Sequence, residues 1–396
     1  MCEIRNKILI IGTDDHNTLA VVRDLGKHDC NISVLIHGDF TSIHDVKISK
    51  SRYGKNKTDY VNDSIEKIYE WIKRNAKQKS NLKTILFPCS DLAAYTVDYY
   101  GKELSNCIIP GFKGQPGRVV ELMDKINQKK FADCYGIPMA KTWCYKITNA
   151  NKIVIPYPCI LKPEISAKGR KGDIRICRNS VEFESAVKML EANGYEEVVL
   201  QEFLVKQYEV CALGCIIDEM PQRYIGGYIK KLREWPIGGG GNMSCSRFIQ
   251  TPELDEIIHK VTRVLYEQGY RGMYDIEFLV CDNGLIYLNE INFRHSGNGF
   301  GLIDNGVYAP YYFCKSCAGM NIETSDLLIP KVGKVIMEEV GDFKHRTDYN
   351  LSTISWIKEF VNSSAYSVIN LNDISGTVAF LGDRLQNLLK KLKKNK

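Results

Sequence analysis

The stretch 272–301, GMYDIEFLVCDNGLIYLNEINFRHSGNGFG, constrains the fold of this chain more than any other. Two apolar runs, Tyr274 to Val280 and Leu285 to Ile291, flank an Asn-Gly pair, which is a strong signal for a β-turn. The stretch therefore predicts a β-hairpin. Carboxylates interrupt its apolar strands at Glu277 and Glu290, and burying a carboxylate is costly unless it is paired or bound to a metal.

The polar side chains that close the second strand extend this pattern. Because side chains alternate across a strand, Glu290 and Asn292 point the same way, and Arg294 follows two residues later. Hard cations such as Mg²⁺ bind one or two protein carboxylates together with substrate phosphates. We therefore predict a nucleotide-metal site that holds Mg²⁺, or Mn²⁺, on Glu277, Glu290 and Asn292. The alternative is that both glutamates are solvent-facing strand residues and that Arg294 is an ordinary surface cation.

Composition excludes several classes of protein. The 396 residues are enough for two or three domains, and 44% hydrophobic and 25% charged residues are ordinary globular values. No run approaches the roughly 18 to 20 uninterrupted apolar residues of a membrane span. The N-terminus, MCEIRNKILIIG, has no small-residue cleavage site and predicts a first strand rather than a signal peptide. We expect a cytoplasmic protein.

Cysteine usage and charge predict neither a zinc site nor a nucleic-acid partner. The 14 cysteines are scattered singly, which favours buried free thiols, and the pair Cys314 and Cys317 has no second pair at zinc spacing. The net charge is +6, and the lysines of residues 390–396 carry five of those charges. The rest of the chain is nearly neutral, so we predict no nucleic-acid binding.

The N-terminal segment predicts a parallel α/β domain over residues 1–115. An apolar strand from Lys7 to Gly12, a helix from Asn17 to Gly26 and a second strand from Ile32 to Ile36 form a βαβ unit. The turn after Gly12 lacks the later glycines of a dinucleotide fingerprint, which argues against NAD binding.

Side chains that follow these strands are weak candidates for substrate contact, because loops at the carboxyl ends of parallel strands commonly hold ligands. They are Asp14, Asn17, Ser90 and Asp91. Roles in helix capping and turns are equally expected for each of them. His295, next to Arg294, is a further candidate, with a packed surface residue as the alternative.

Lys162 ends an apolar strand that precedes a basic, glycine-containing loop at residues 166–172. A lysine there offers a point charge to phosphates, and the loop, with Ser166, Lys168 and Gly169, could close over a triphosphate with its backbone N–H groups. A bare hairpin with a basic turn is the alternative. Farther along, Arg233 precedes four glycines, Gly238 to Gly241, which predict a mobile loop, and Arg233 could meet a carboxylate or a γ-phosphate.

Taken in order, these segments resemble the ATP-grasp ligases, which have a strand glutamate followed about a dozen residues later by Glu-x-Asn-x-Arg. The segment Asp124-Lys125, in a predicted helix from Arg118 to Cys134, resembles the one that leads to a Gly-Ile-Pro in that family. The resemblance implies that Lys125 and Lys162 bind nucleotide phosphates. It also implies that Gln201, Glu202 and Leu204 meet the adenine edge and that Glu209 binds the ribose.

The resemblance implies an α/β (α+β) fold with an N-terminal parallel α/β domain and a two-lobed ATP-grasp module. The expected parts are residues 116–204 with the linker helix and lid, 205–328 with the metal site, and a C-terminal extension at 329–396. In that extension, Val335 to Val340 and Ser375 to Phe380 are predicted strands. The end, 385–394, predicts a basic amphipathic helix, either solvated or in contact with an anionic membrane or a glycan-assembly partner.

The implied activity is ATP-dependent ligation of a small-molecule carboxylate to an amine through an acyl phosphate, with Arg294 and Arg233 as catalytic residues. The resemblance is closer to carbamoyl phosphate synthetase-like and D-aspartate ligase-like enzymes than to biotin carboxylase. A phosphotransferase that uses the same ATP site and a nucleotide-binding regulator with little turnover remain as alternatives. The sequence leaves open whether the chain forms a homodimer.

Overall fold

The chain folds around three β-sheets, as a computed structural model shows for residues 4–76, 81–148, 156–163, 173–218, 225–235, 237, 242–323 and 330–382. Three predicted features lie outside these described residues. They are the loop 166–172 with Ser166, Lys168 and Gly169, the glycines 238–241, and the tail 385–396.

The first sheet is parallel and has the strand order β3-β2-β1-β4-β5. Its strands are β1 (Ile8–Gly12), β2 (Ile32–His37), β3 (Thr58–Val61), β4 (Thr84–Pro88) and β5 (Cys107–Ile108), and its helices are α1 (His16–Lys27), α2 (Ile65–Asn75) and α3 (Asp91–Tyr99). Every residue of β1 and β4 is buried, as expected for a sheet covered on both faces. The predicted βαβ opening is confirmed, and because β1 and β4 are neighbours, the loops after them lie side by side.

The second sheet is small and antiparallel, in the order β7-β10-β8-β9. It consists of β7 (Thr142–Lys146), β8 (Cys159–Pro163), β9 (Arg175–Cys177) and β10 (Glu197–Glu202), with α6 (Ser180–Ala192) packed on its apolar face. Lys162 lies on β8 and Gln201 on β10, in the middle of this sheet.

The predicted single helix from Arg118 to Cys134 is wrong in one respect, because it is broken into α4 (Arg118–Leu122) and α5 (Lys125–Cys134). Asp124 has an extended backbone, and its side chain accepts a hydrogen bond from the Asn127 N–H at 2.8 Å, so it starts a new helix as an N-cap. Lys125 is therefore the first residue of a helix rather than an interior one.

The third sheet is the largest, and its main path runs β15-β14-β11-β12-β13-β16-β17 with β6 paired to β14. Its strands are β6 (Gly111–Phe112), β11 (Lys206–Ile216), β12 (Ile225–Trp235), β13 (Asn242–Phe248), β14 (Tyr270–Cys281), β15 (Ile286–Asn292), β16 (Val335–Met337) and β17 (Ala365–Tyr366). The helices α7 (Pro252–Glu267), α8 (Phe300–Asp304) and α9 (Ala309–Cys317) accompany it. The predicted hairpin is β14 and β15, and Gly284 in its turn has φ 78°, a conformation that favours glycine.

The C-terminal extension adds α10 (Glu339–His345), α11 (Thr353–Asn362) and a C-terminal helix whose described part is 374–382. The strand predicted over Ser375 to Phe380 is wrong, because this segment is helical. Asp373 is fully buried and accepts from the Gly376 N–H at 3.2 Å, which caps the helix, while Phe380 packs into the core. The domain limits at 115, 204 and 328 stay predictions.

Candidate active site

The hairpin β14–β15 carries oxygen-bearing side chains on one face. Glu277 lies directly opposite Glu290, and Asp275 lies opposite Asn292. Residues opposite each other on paired strands share a face, and so do residues two apart, so all four point to the same side. A register shift after Glu277 leaves Asn289 as an extra residue, and its Nδ2 donates to Glu277 Oε2 at 3.2 Å.

Helix α5 brings the first predicted lysine to this face. The side chain of Gln128 is buried, donates to the Ile291 carbonyl at 2.9 Å and accepts from the Ile291 N–H at 3.0 Å, which docks α5 on β15. Lys125 is one turn earlier on the same helix, and its ammonium forms an ion pair with the Glu290 carboxylate. Two long-range hydrogen bonds from a side chain to the backbone therefore set the position of a charged pair.

The second predicted lysine comes from the small antiparallel sheet. Lys162 Nζ donates to Gln201 Oε1 at 3.0 Å, and burial together with the nearby Lys125 lowers the pKa of Lys162 to about 8, against the opposing effect of Glu290 and Glu277. Two ammonium groups and two carboxylates are thus electrostatically coupled in one place. Lysine ammonium groups held this way can bind polyphosphate oxygens.

Arg294 is held by two carboxylates, Asp91 at the start of α3 and Asp275 on β14. Its Nε donates to Asp91 Oδ1 at 2.9 Å, and its Nη1 donates to Asp275 Oδ2 at 3.0 Å. Burial alone would lower the pKa of the Arg294 guanidinium, but these two carboxylates more than offset burial and raise it. Arg294 is therefore a fixed positive charge at the junction of the first and third sheets.

The glutamate pair fits a divalent cation by its chemistry. Burial and the neighbouring Glu290 carboxylate raise the pKa of Glu277 to about 7, whereas Lys125, Lys162 and Arg294 outweigh burial and lower the pKa of Glu290. A cation with oxygen ligands would relieve the repulsion at Glu277. Within the described residues, no three Asp, Glu, His or Cys side chains are grouped to hold a metal by themselves, so Asn292, water or substrate phosphates would complete such a site.

A cavity of about 990 Å³ opens beside this face and is large enough for a small-molecule ligand. Glu277 and Arg294 line it, together with the loops after β1 and β4 and the segment 338–346 of the C-terminal extension. Lys125, Lys162 and Glu290 are not among its lining residues. The cavity therefore meets the charged cluster, formed by Lys125, Lys162, Glu277, Glu290 and Arg294, from the side of the first sheet.

Comparison with known proteins was made by sequence and by structure. No family model matches the chain, and no curated protein matches it by sequence. The N5-carboxyaminoimidazole synthetase of Staphylococcus aureus is 14% identical, with a TM-score of 0.62, over 88% of this chain and 86% of that one. The carboxyaminoimidazole ribonucleotide synthase of Aspergillus clavatus, solved with ATP, is 12% identical, with a TM-score of 0.65, over 87% and 86%.

The biotin carboxylase of Campylobacter jejuni, solved as a β,γ-ATP complex, is 15% identical, with a TM-score of 0.64, over 84% of this chain and 75% of that one. The protein has the ATP-grasp fold. At these identities the likeness shows the fold alone. It does not rank the chain among the subgroups, so the closer resemblance to carbamoyl phosphate synthetase-like and D-aspartate ligase-like enzymes stays a prediction.

The residues predicted to hold adenosine lie at the end of β10 and the start of β11. Glu202 closes β10, its Oε2 accepts from the Lys141 N–H at 3.3 Å, and Leu204 lies in the half-buried connection that follows. Glu209 forms ion pairs with Lys206 and Lys231, which lower the pKa of its carboxyl although burial alone would raise it. Their contacts with a nucleotide stay predictions.

Arg233 is placed away from the charged cluster. Its Nε and Nη2 donate to both oxygens of Asp342 at 2.9 and 2.8 Å, and its Nη1 donates to Glu359 at 2.7 Å. It does not line the cavity, whereas Lys231, two residues earlier, does. In this structure Arg233 attaches the C-terminal extension to β12, and its catalytic role stays a prediction.

The weak substrate candidates divide into two groups. Asn17, Ser90 and Asp91 line the cavity. Asp14 does not, because its carboxylate accepts from the backbone N–H groups of Lys47 and Ile48 at 2.9 and 3.0 Å and fixes that loop.

His295 is buried and has a structural partner rather than free access to the cavity. Its Nδ1 donates to Asn17 Oδ1, and Asn17 Nδ2 donates in turn to the carbonyls of His295 and Cys89 at 3.0 and 2.7 Å. Burial and the nearby charge of Arg294 lower the pKa of His295 to about 3. His295 therefore joins the third sheet to the first as a neutral imidazole.

Several site residues were not predicted. Asp275 is one, although strand alternation could have found it two residues before Glu277. Lys231 on β12 and Lys344 and Arg346 at the end of α10 also line the cavity, and no motif marked them. His345 stacks on Trp235 with ring centroids 4.2 Å apart, which brings the C-terminal extension to the cavity wall.

Proposed function

We propose that this protein is an ADP-forming carboxylate–amine ligase that activates a carboxylate with Mg-ATP. The observation that carries the proposal is the meeting of Lys125, Lys162, Glu277, Glu290 and Arg294 from three separate parts of the chain. Carboxylates and lysines of this kind suit a metal-bound polyphosphate, and an arginine fixed beside them suits a reacting oxyanion.

Each residue has a part in this proposal. Lys125 and Lys162 hold phosphate oxygens as point charges, and the end of β10 with Glu209 orients the nucleoside. Glu277, Glu290 and Asn292 hold Mg²⁺ or Mn²⁺, which when bound neutralises charge on the phosphates and so supports transfer of the γ-phosphoryl group. Arg294 holds the substrate carboxylate and the charge that develops on it.

The reaction has two steps. A carboxylate oxygen attacks the γ-phosphorus, and the bond between the γ-phosphorus and the β-phosphate oxygen breaks. ADP leaves, and an acyl phosphate remains. The amine nitrogen then attacks the acyl carbon through a tetrahedral oxyanion near Arg294, phosphate leaves, and the nitrogen loses a proton to solvent. An amine with enough free base at neutral pH needs no dedicated catalytic base.

The cavity wall supports a substrate with negative charge. His16 at the start of α1 and Lys344 and Arg346 from the C-terminal extension line the same cavity as Glu277. Lys344 Nζ lies 5.4 Å from the centre of the Trp235 ring, so an aromatic face and cations are presented together. A carboxylate or phosphate group on the substrate would match this wall.

The test is release of ADP and phosphate from Mg-ATP across a panel of amino acids and hydroxy acids, offered singly and in pairs, with a mass scan for products. A signal that needs a pair, with a product lighter than the sum by one water, is the expected result. ADP release with one compound and a phosphorylated product would instead establish the phosphotransferase alternative. ATP binding without any ADP release would overturn the ligase proposal in favour of the regulator.

A matched pair of variants makes this test specific. Glu290→Gln removes a carboxylate from the charged cluster, and Glu253→Gln makes the same chemical change at an exposed position in the first turn of α7. Turnover should be lost in the first and kept in the second. Full turnover in both variants would exclude the cluster as the active site.

A further inference from the structure

A row of hydrogen-bonded side chains lies behind one wall of the cavity. Ser90, between β4 and α3, lines the cavity, and its Oγ lies 2.6 Å from Nε2 of His37, the last residue of β2. Nδ1 of His37 lies 2.7 Å from Oδ1 of Asp63, in the connection after β3. The His37 ring is buried and does not line the cavity, so Ser90 separates it from a bound molecule. A serine, a histidine and an aspartate from three separate elements are therefore joined in one row.

The partners of His37 decide which of its ring nitrogens carries the hydrogen. A carboxylate only accepts hydrogen bonds, so Nδ1 carries the hydrogen that Asp63 receives. In the neutral ring Nε2 is then an acceptor, and the Ser90 hydroxyl donates to it. This is the arrangement of a general base that is oriented by a third group and acts on a hydroxyl.

The Ser90 hydroxyl keeps one lone pair for a molecule in the cavity. Its hydrogen goes to His37, and one of its two lone pairs accepts from the Ala93 N–H at 3.2 Å, which caps α3. Within the described residues, no other hydrogen bond reaches this oxygen. The remaining lone pair can accept a proton from a substrate while the hydroxyl hydrogen passes to the imidazole.

The serine is next in sequence to the residue that fixes Arg294. Asp91 follows Ser90, and its Oδ1 accepts from Arg294 Nε at 2.9 Å. In the proposed function, Arg294 stabilises the oxyanion that forms when an amine attacks the acyl carbon. The attacking nitrogen becomes positively charged when it bonds to that carbon, so a proton must leave it even when the free amine is unprotonated. A proton acceptor beside Arg294 would serve this step.

We propose that Ser90 and His37 form a proton relay for the amine step, with Asp63 as the residue that positions His37; this inference rests on the proposed ligase function. The nitrogen of the tetrahedral intermediate gives a proton to Ser90 Oγ while the hydroxyl hydrogen of Ser90 moves to His37 Nε2. Phosphate leaves with the electron pair of its bond to the acyl carbon. After the products depart, the imidazolium returns the proton through Ser90 to water in the cavity.

Two other histidines line the cavity and are rivals for this role. His345 has Asp348 on its Nδ1 at 3.1 Å, but its ring stacks on Trp235 at the wall formed by the C-terminal extension. His16 lies at the start of α1, and no carboxylate orients its ring in the described contacts. Among the described residues, Ser90 alone combines a hydroxyl in the cavity with a carboxylate-oriented imidazole behind it.

The test uses variants that separate the two roles of Ser90, helix cap and relay. Ser90→Thr keeps both the hydroxyl and the capping oxygen, whereas Ser90→Asn keeps a capping oxygen and has no hydroxyl. They are compared on the carboxylate and amine pair that the panel assay identifies. In Ser90→Asn, kcat should fall about a hundredfold or more with little change in KM, while Ser90→Thr should keep kcat near that of the unmodified protein.

Substitutions of the two residues behind Ser90 complete the comparison. His37→Gln keeps hydrogen-bonding groups but removes the base, so it should lower kcat as much as Ser90→Asn does. The matched control, His44→Gln, makes the same change at an exposed position and should leave kcat unchanged. Asp63→Asn should also lower kcat, because an amide lets the ring adopt the other tautomer, and Asp63→Glu should restore it.

The tautomer of His37 gives a readout that needs no turnover. Nitrogen NMR of histidine-labelled protein, assigned with His37→Gln, should show the Nδ1–H form in the unmodified protein and its loss in Asp63→Asn. The Nε2–H form in the unmodified protein would overturn the relay. So would full kcat in His37→Gln, or a loss of kcat confined to His16→Gln or His345→Gln. Absence of ADP release with every pair would be a different failure, because it would overturn the proposed function and the relay with it.

Discussion

At the scale of single residues, the charged cluster depends on carboxylates whose burial is tolerated only because neighbouring cations compensate their charge. Glu290 is the clearest case, since Lys125, Lys162 and Arg294 outweigh the burial that would otherwise raise its pKa. Glu277, directly opposite, lacks an equal share of positive charge, and its pKa is about 7. The Glu277–Glu290 pair is therefore suited to binding a cation and is not an arrangement that stabilises the fold.

Glu290→Gln is expected to lower turnover at least about a hundredfold, the size of effect seen when one electrostatic contact to a transition state is lost. ATP binding should persist, because Lys162 and the end of β10 are unchanged. Coupled ADP-release kinetics and titration with ATP measure the two properties separately. Rates equal to those of the unmodified protein would remove Glu290 from the metal site.

His295 gives a prediction about stability and pH. The unfolded imidazole takes up a proton below about 6.5, whereas burial holds the folded pKa to about 3. Between these values the unfolded state binds more protons, so the free energy of unfolding falls as pH falls, by about 1.4 kcal/mol for each pH unit.

His295→Gln removes this titration while it keeps an amide donor for Asn17. The denaturant midpoint of the unmodified protein should fall more steeply than that of the variant between about pH 6.5 and about pH 5. Urea unfolding followed by circular dichroism at several pH values measures both slopes. Parallel slopes would show that His295 is protonated in the folded protein.

At the scale of elements, α10 connects the C-terminal extension to the third sheet. Asp342 accepts from two nitrogens of Arg233, from Ser244 Oγ at 2.8 Å and from Trp356 Nε1 at 2.9 Å. Its side chain is 1% exposed. One carboxylate therefore joins β12, β13, α10 and α11, and the segment 338–346 of the cavity wall depends on it.

Asp342→Asn should destabilise the protein by about 3 kcal/mol, because it leaves the buried Arg233 charge without its main partner. Glu359→Gln removes the other, more exposed partner of Arg233 and should cost less than about 1 kcal/mol. Denaturant unfolding of both variants gives the comparison. Equal small effects would mean that Arg233 is free to turn toward a substrate.

The sequence predicted the hairpin that carries the two glutamates, and its errors in secondary structure lie at two capping aspartates. Glu277 and Glu290 were placed on the hairpin by alternation and by the Asn-Gly turn, which are local signals. The break at Asp124 and the helix at 374–382 were missed because each is decided by a capping aspartate. At Asp373 the cap also depends on burial against Arg23 and Ser51, which are more than 300 residues away in sequence.

At the scale of the whole molecule, three sheets meet at the charged cluster. Lys162 comes from the second sheet and Glu277 and Glu290 from the third, while Asp91, at the start of α3 beside the first sheet, holds Arg294.

A prediction at the scale of the whole molecule concerns removal of residues 385–396. Turnover in solution should stay unchanged, because none of the residues assigned to the site lies in this tail. The same panel assay measures it. Loss of activity in solution would mean instead that the tail packs on the body of the protein.

The sequence by itself determined the hairpin and its carboxylates, which follow from periodicity, turn residues and the cost of burying charge, all acting over a few residues. The order of the site segments and the place of the lysines beside the hairpin were implied by the resemblance to the ATP-grasp ligases. Only the tertiary structure decided which charges pair, because Lys125 with Glu290, Arg233 with Asp342 and Arg294 with Asp91 are joined across more than one hundred residues. Such pairings depend on how the sheets pack against each other, and no local sequence pattern encodes contacts between residues so far apart in the chain.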